Sequence, residues 1–203
     1  MSEGTELWII RHGETEWSAS GQHTSRTDIP LTDQGRQRAL LLHDYLAPFH
    51  FDAVFTSPMQ RARETCQIAG LGAQAVIDDN LREWDYGIYE GKTTAEIRAQ
   101  IPNWSVWKDP ILDGETAEHV GRRADAVIAR ALAAAPQGGK VALFAHAHIL
   151  RILGARWIGL EARGGALFAL GTGSVSVLGW ERETRVIEHW NRGFNSESSV
   201  EPS

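Results

Sequence analysis

The chain has 203 residues, of which 42% are apolar and 23% charged, and a formal net charge of −6. That length allows one large domain with a sizeable core, and the composition is that of an ordinary soluble globular protein. The acidic balance argues against nucleic acid or an anionic membrane as the main partner, since both select basic surfaces, so any anion site must be a local basic pocket.

In chain order, the first element is Leu7 to Ile10, an apolar run ending in Arg11-His12-Gly13-Glu14-Thr15. It reads as a strand buried on both faces, with a polar cluster at its carboxyl end, where open α/β sheets bind ligands. Ser18 to Thr32, with Gly21 and Pro30, reads as a long loop of the kind that carries function. Thr32 caps a helix bearing Ala39, Leu42, Tyr45 and Leu46 and stopped by Pro48. Phe51 to Phe55 is a second strand. Ser57-Pro58-Met59-Gln60 then opens a helix, with Ser57 as cap, Pro58 at its first position and Gln60 closing a capping box. This places Arg61 near a helix N-terminus whose free amides favour anions.

Cys66 is the single cysteine, which forbids an internal disulfide and favours a reducing compartment. Gln74 to Ile77 is a third strand, Leu81 to Lys92 is irregular, aromatic and acidic, and Thr94 to Ile101 is a short helix. The irregular stretch from Pro102 to Thr116 holds Trp104 and Trp107, which either line a pocket or cover the core edge. Thr116 opens the clearest helix, with Val120, Ala124, Val127, Ile128, Ala131 and Leu132 on one face up to Pro136. Val141 to Phe144 is a fourth strand, ending in Ala145-His146-Ala147-His148 and repeating the pattern of the first. A helix follows over Ile149 to Ile158, with late strands at Leu167 to Leu170, Val175 to Trp180 and Val186 to Trp190. Residues 1–195 are expected to form a single domain and 196–203 a flexible tail. Strands alternating with helices imply an α/β fold with a mainly parallel sheet covered on both faces. With no leader-like or bilayer-spanning stretch, the expected location is cytoplasmic.

Four candidate elements leave the ends of different strands: Arg11-His12, Arg61, Glu83 and His146. Together they contain what metal-free phosphoryl transfer needs. A neutral imidazole can attack phosphorus and carry it as phosphohistidine, and guanidinium groups match the phosphoryl oxygens. A carboxylic acid must protonate the departing alkoxide and later take a proton from water; Glu83 suits this if burial and a nearby phosphate raise its proton affinity. As a rival, His146 and His148 on an extended segment would share one side and could ligate a metal. Other phosphate chemistries fail on spacing. Gly87 to Thr93 is a residue short of a phosphate-binding loop, Cys66 is followed by Gly72 where a cysteine phosphatase needs arginine, and Gly171-Thr172-Gly173 lacks a third glycine.

Arg11-His12-Gly13-Glu14-Thr15, Ser57-Pro58-Met59-Gln60-Arg61-Ala62, Glu83 with Asp85-Tyr86-Gly87 and Glu90-Gly91, and Ala145-His146 occur in an order that resembles the histidine phosphatase superfamily, which includes the cofactor-dependent phosphoglycerate mutases. The resemblance implies a three-layer α/β/α sandwich with His12 as the phosphorylated nucleophile. It implies that Arg11, Arg61 and His146 surround the phosphate and that Glu83 is the proton donor. Ser18, Gln22, Thr24 and the Ala147 amide are then the expected substrate contacts. Ala145-His146-Ala147 stands where much of the superfamily has Ser-His-Gly, and His148 inherits no role. The Ser20 to Thr24 run and Trp84-Asp85-Tyr86 look like the acid phosphatase and sugar bisphosphatase branch. The expectation is a phosphatase that uses no metal or other cofactor and acts on a small phosphorylated metabolite. A phosphoglycerate mutase and a non-catalytic phosphate-binding module are the alternatives.

Overall fold

A computed structural model describes residues 4–194; the tail expected at 196–203 and the domain end set at residue 195 lie outside them. Six strands form one sheet: β1 (Thr5–Arg11), β2 (Ala53–Thr56), β3 (Ala75–Ile77), β4 (Gly139–Ala145), β5 (Val175–Glu181) and β6 (Thr184–Arg192). Their order is β3-β2-β4-β1-β5-β6. The first four in that order run parallel, while β5 and β6 are antiparallel additions at one side. The helices are α1 (Glu16–Ser20), α2 (Asp33–Leu46), α3 (Gln60–Ile68), α4 (Thr94–Gln100), α5 (Ala117–Ala134) and α6 (Ala147–Trp157).

Alternation along β1 divides the core in two. Leu7 and Ile9 pack with Val120, Ala124 and Val127 of α5 and with Ile149 and Leu153 of α6. Trp8 and Ile10 face the other way, onto Leu42 and Leu46 of α2 and Cys66 of α3. Helices therefore cover both faces of a mostly parallel sheet, the expected α/β/α sandwich. Among the described residues no helix is long and apolar enough to cross a membrane.

Three local expectations fail, two because a tertiary partner replaces the local one and one because a local cap starts a helix early. Leu167 to Leu170 is not a strand: Ala162–Leu167 forms a 3-10 helix. The carbonyls of Ala169 and Leu170 accept from Trp190 Nε1 at 2.7 Å and Arg11 Nη1 at 2.5 Å instead of from a neighbouring strand. The loop expected from Ser18 starts inside α1, because Thr15 and Ser18 form a capping box. Nor does Ser57 cap α3. Its amide still pairs with the Phe144 carbonyl at 2.9 Å, continuing the sheet, and α3 starts only at Gln60. The Gln60 amide is met at 2.8 Å by Asp28 from the distant loop.

Registry positions the two histidine segments. β1 and β4 are adjacent and parallel, with Arg11 opposite Ala145, so both strands end at one level. The His12 amide donates to the Ala145 carbonyl at 3.0 Å. His12 and His146 therefore leave the sheet side by side at its carboxyl edge.

Candidate active site

His12 and His146 are buried, with ring centroids 5.2 Å apart. Nδ1 of His12 lies 2.6 Å from the Gly13 carbonyl. A carbonyl can only accept, so Nδ1 carries the proton and, in the neutral ring, Nε2 keeps a lone pair. Burial, and then the charges of Arg11 and Arg61, push the proton affinity of His12 well below the usual histidine range. Burial, Arg61 and His12 do the same to His146. Both rings are neutral at ordinary pH.

Arg61, 0% exposed, is clamped on three sides. Its Nε donates to His146 Nδ1 at 3.2 Å, Nη1 to the Thr27 carbonyl at 3.1 Å, and Nη2 to the Thr24 carbonyl at 3.4 Å. The loop supplying those carbonyls is held by Glu90, which accepts from Ser25 Oγ at 2.5 Å and from the Thr27 amide at 2.9 Å. Arg11 donates Nη1 to Leu170, while its buried Nε has no partner among the described residues. A buried charged donor left over in this way favours an incoming anion.

Glu83 lies against the start of α6, accepting from the amides of His148 and Ile149 at 3.0 Å each and from Trp84 at 3.0 Å. Burial alone would raise its proton affinity. Hydrogen bonding from the His148 side chain and amide overcomes that and holds the carboxyl well below its usual range. The free site thus contains a carboxylate, contrary to the expectation that burial makes Glu83 easier to protonate; the amides of a helix N-terminus stabilise its charge.

Arg11, His12 and Glu83 line a cavity of about 170 Å³ together with Thr15, Ser18, Gly21, Gln22, His23, Thr24, Tyr86, Ala147 and His148. Arg61 and His146 are not among its lining residues. Ser18, Gln22, Thr24 and Ala147 all line the cavity as expected, yet their side chains are otherwise engaged. Ser18 Oγ is in the α1 cap, Gln22 Nε2 donates to Gly91 at 2.8 Å, and Thr24 Oγ1 donates to Gln22 at 3.1 Å. They shape the wall and offer few free donors.

His23 falls within the stretch around Gln22 to Arg26 that sequence reasoning expects to set the pocket wall, whereas Tyr86 was missed as a wall residue. Their rings lie 4.6 Å apart, tilted by 42°, and burial followed by His148 lowers His23 to about 4. Only the aromatic enrichment around Tyr86 hinted at its place. Trp104 and Trp107 pack behind, against His23 at 5.5 Å and His148 at 5.1 Å. The pairing of His146 with His148 on one metal does not survive the turn into α6. His146 is taken by Arg61 and by Ser57 Oγ at 2.7 Å, and His148 Nδ1 by the Tyr86 hydroxyl at 2.6 Å.

The family model of the histidine phosphatase superfamily, branch 1, matches residues 7–193. The chain belongs to this superfamily. It is 39% identical over 184 residues, 89% of each chain, to an acid phosphatase of Mycobacterium tuberculosis. It is 36% identical over 181 residues to the sedoheptulose 1,7-bisphosphatase of Saccharomyces cerevisiae, covering 75% of this chain and 67% of that one. A solved structure of a Mycobacterium tuberculosis open reading frame superposes with a TM-score of 0.88 at 37% identity, covering 93% of this chain and 98% of that one. This histidine phosphatase is accordingly a phosphoric monoester hydrolase.

Proposed function

We propose that this histidine phosphatase works without metal, hydrolysing a small phosphomonoester, a sugar phosphate or similar metabolite, through a phosphohistidine on His12. The observation that carries the reading is the 2.6 Å contact from His12 Nδ1 to the Gly13 carbonyl, which leaves an Nε2 lone pair on a ring that feels the charges of Arg11 and Arg61. Nε2 attacks phosphorus, an N–P bond forms and the ester P–O bond breaks. The departing alkoxide takes its proton from Glu83, then protonated. Water next attacks phosphorus, gives its proton to the Glu83 carboxylate and breaks the N–P bond, releasing phosphate and neutral His12.

Each neighbour has a part. Arg11 and Arg61 oppose the charge on the phosphoryl oxygens, and the Ala147 amide adds a donor at the start of α6. Glu83 must bind a proton that the free site does not favour. A phosphoryl dianion entering the cavity supplies the like charge that raises its affinity. A cytoplasmic location agrees with the single buried thiol of Cys66.

The test is a panel of sugar phosphates, phosphoglycerates and an aryl phosphate, with released phosphate measured with and without a chelator. An alkaline quench preserves phosphohistidine. The reading expects chelator-insensitive turnover and a phosphoenzyme absent from His12→Ala. Phosphoglycerate interconversion faster than phosphate release would make the protein a mutase, and binding without turnover a phosphate-binding module.

A further inference from the structure

Glu83 sits in a stretch that no regular element holds. Leu81 ends one 3-10 turn, Gly87 opens the next, and residues 82–86 between them belong to neither helix nor strand. Backbone of this kind has no ladder to fix it, so its carbonyls must find partners elsewhere. Arg123, in the second turn of α5, supplies them. Its Nη1 donates to the carbonyls of Asn80 and Arg82 at 2.8 Å each, and its Nη2 to that of Glu83 at 3.3 Å.

The remaining donors hold Glu115. Nε meets Oε1 at 2.8 Å and Nη2 meets Oε2 at 2.7 Å, a forked pair whose side chains are only 13% and 15% exposed. Glu115 extends the brace, because its Oε2 also accepts from the Asp85 amide at 3.0 Å and its carbonyl from Trp84 Nε1 at 2.9 Å. All five N–H groups of the guanidinium are thereby used. None is left for a ligand, and neither Arg123 nor Glu115 lines the catalytic cavity.

We propose that Arg123, locked by Glu115, is a positioning residue for the acid, fixing the Glu83 backbone so that the carboxyl delivers its proton at the leaving oxygen. This rests on Glu83 being the acid of the preceding section. The carboxyl end of the side chain is tied to α6 through the amides of His148 and Ile149. The backbone end is tied to α5 through Arg123. Both helices pack in the same core cluster, and together they set where the acid stands. A carboxyl displaced by about 1 Å keeps its charge but leaves the line of proton transfer, a loss that can reach about 10²-fold. The attack of His12 on phosphorus does not pass through this brace. An ester whose leaving group needs no proton is therefore indifferent to it.

The experiment measures kcat/KM on an alkyl and an aryl phosphate for wild type, Arg123→Lys, Glu115→Gln, Glu83→Gln and the double variant Arg123→Lys with Glu83→Gln, each with a thermal unfolding check. Lysine keeps the charge beside Glu115, but its three donors cannot serve three carbonyls and both carboxylate oxygens. Glu115→Gln breaks the fork from the other side and keeps the carbonyl that holds Trp84. In each single brace variant the alkyl-to-aryl ratio should fall about tenfold or more, with the aryl rate within about threefold of wild type, because only the alkyl ester needs the acid. The double variant should show the ratio of Glu83→Gln alone, since two residues that act through one group are not additive. Parallel losses on both esters, or an unchanged ratio, in whichever brace variants fold overturns the proposal and leaves Glu83 as the acid. A double variant whose ratio drops below that of Glu83→Gln overturns it too. A Glu83→Gln ratio equal to wild type removes Glu83 as the acid and the role of Arg123 with it.

Discussion

Arg61 Nε donates to His146 Nδ1 at 3.2 Å, so a guanidinium that keeps its proton decides which nitrogen of the imidazole holds one. The His146 proton must then sit on Nε2, where Ser57 Oγ accepts it at 2.7 Å. A helix residue, a strand-end histidine and a residue leaving β2 are thereby locked into one array beside His12.

Arg61→Lys should not rescue what Arg61→Ala loses. A single ammonium cannot bond His146 and the Thr24 and Thr27 carbonyls at once. Both variants should lose about 10²- to 10³-fold in kcat, the scale of removing one preorganised charged donor. Their melting temperatures should also fall, because buried acceptors go unpaired. Near-wild-type kcat in Arg61→Lys would mean that charge alone is required.

Glu83→Gln should discriminate between leaving groups. Alkyl phosphates need a proton at the departing oxygen and an aryl phosphate does not, so the alkyl rate should drop by about 10² or more with a much smaller loss on the aryl ester. Steady-state kinetics on the two esters reads this directly, and equal losses would place Glu83 outside the acid role.

Acid should destabilise the fold early. His12 and His146 are held well below 6.5, and His23 is lowered to about 4, in each case by burial first. Above pH 6.5 neither the folded nor the unfolded chain protonates them, and their full contribution is present. As pH falls through 6.5 the unfolded chain binds protons that the fold refuses, at roughly 1.4 kcal/mol per pH unit for each such histidine. Glu83, also lowered, adds to the loss only below its ordinary 4.5. Chemical denaturation from pH 7.5 to 4.5 should show stability falling below about pH 6.5; a flat curve would contradict the neutral, buried histidines.

Gly13→Ala should damage the site without touching any charge. A Cβ there would meet the Gly35 carbonyl oxygen at 2.4 Å, and one on Gly35 would meet that of Glu14 at 2.2 Å. The backbones after β1 and at the start of α2 touch, and Gly13 also holds the Nδ1 proton of His12. The substitution should cost about 1 to 3 kcal/mol, the usual scale of overpacking, and lower kcat with it. Unfolding and kinetics on one preparation check both.

The amino-acid sequence by itself determined the strands at Leu7 and Val141 and the helices opened by Thr32 and Thr116, and it offered Arg11, His12, Arg61, Glu83 and His146 as the candidate site residues. Those features rest on local physics: apolar runs, caps and chemically distinctive side chains at strand ends. What only the tertiary structure decided is where hydrogen bonds between segments distant in sequence go. Asp28 displaced Ser57 as the partner of α3, and Trp190 and Arg11 drew Leu167 to Leu170 out of a strand. The amides at the start of α6 reached Glu83, and Tyr86 reached His148 across 62 positions. No periodicity encodes such partners, because each is chosen by which groups the packed sheet brings within about 3 Å, the reach of a hydrogen bond.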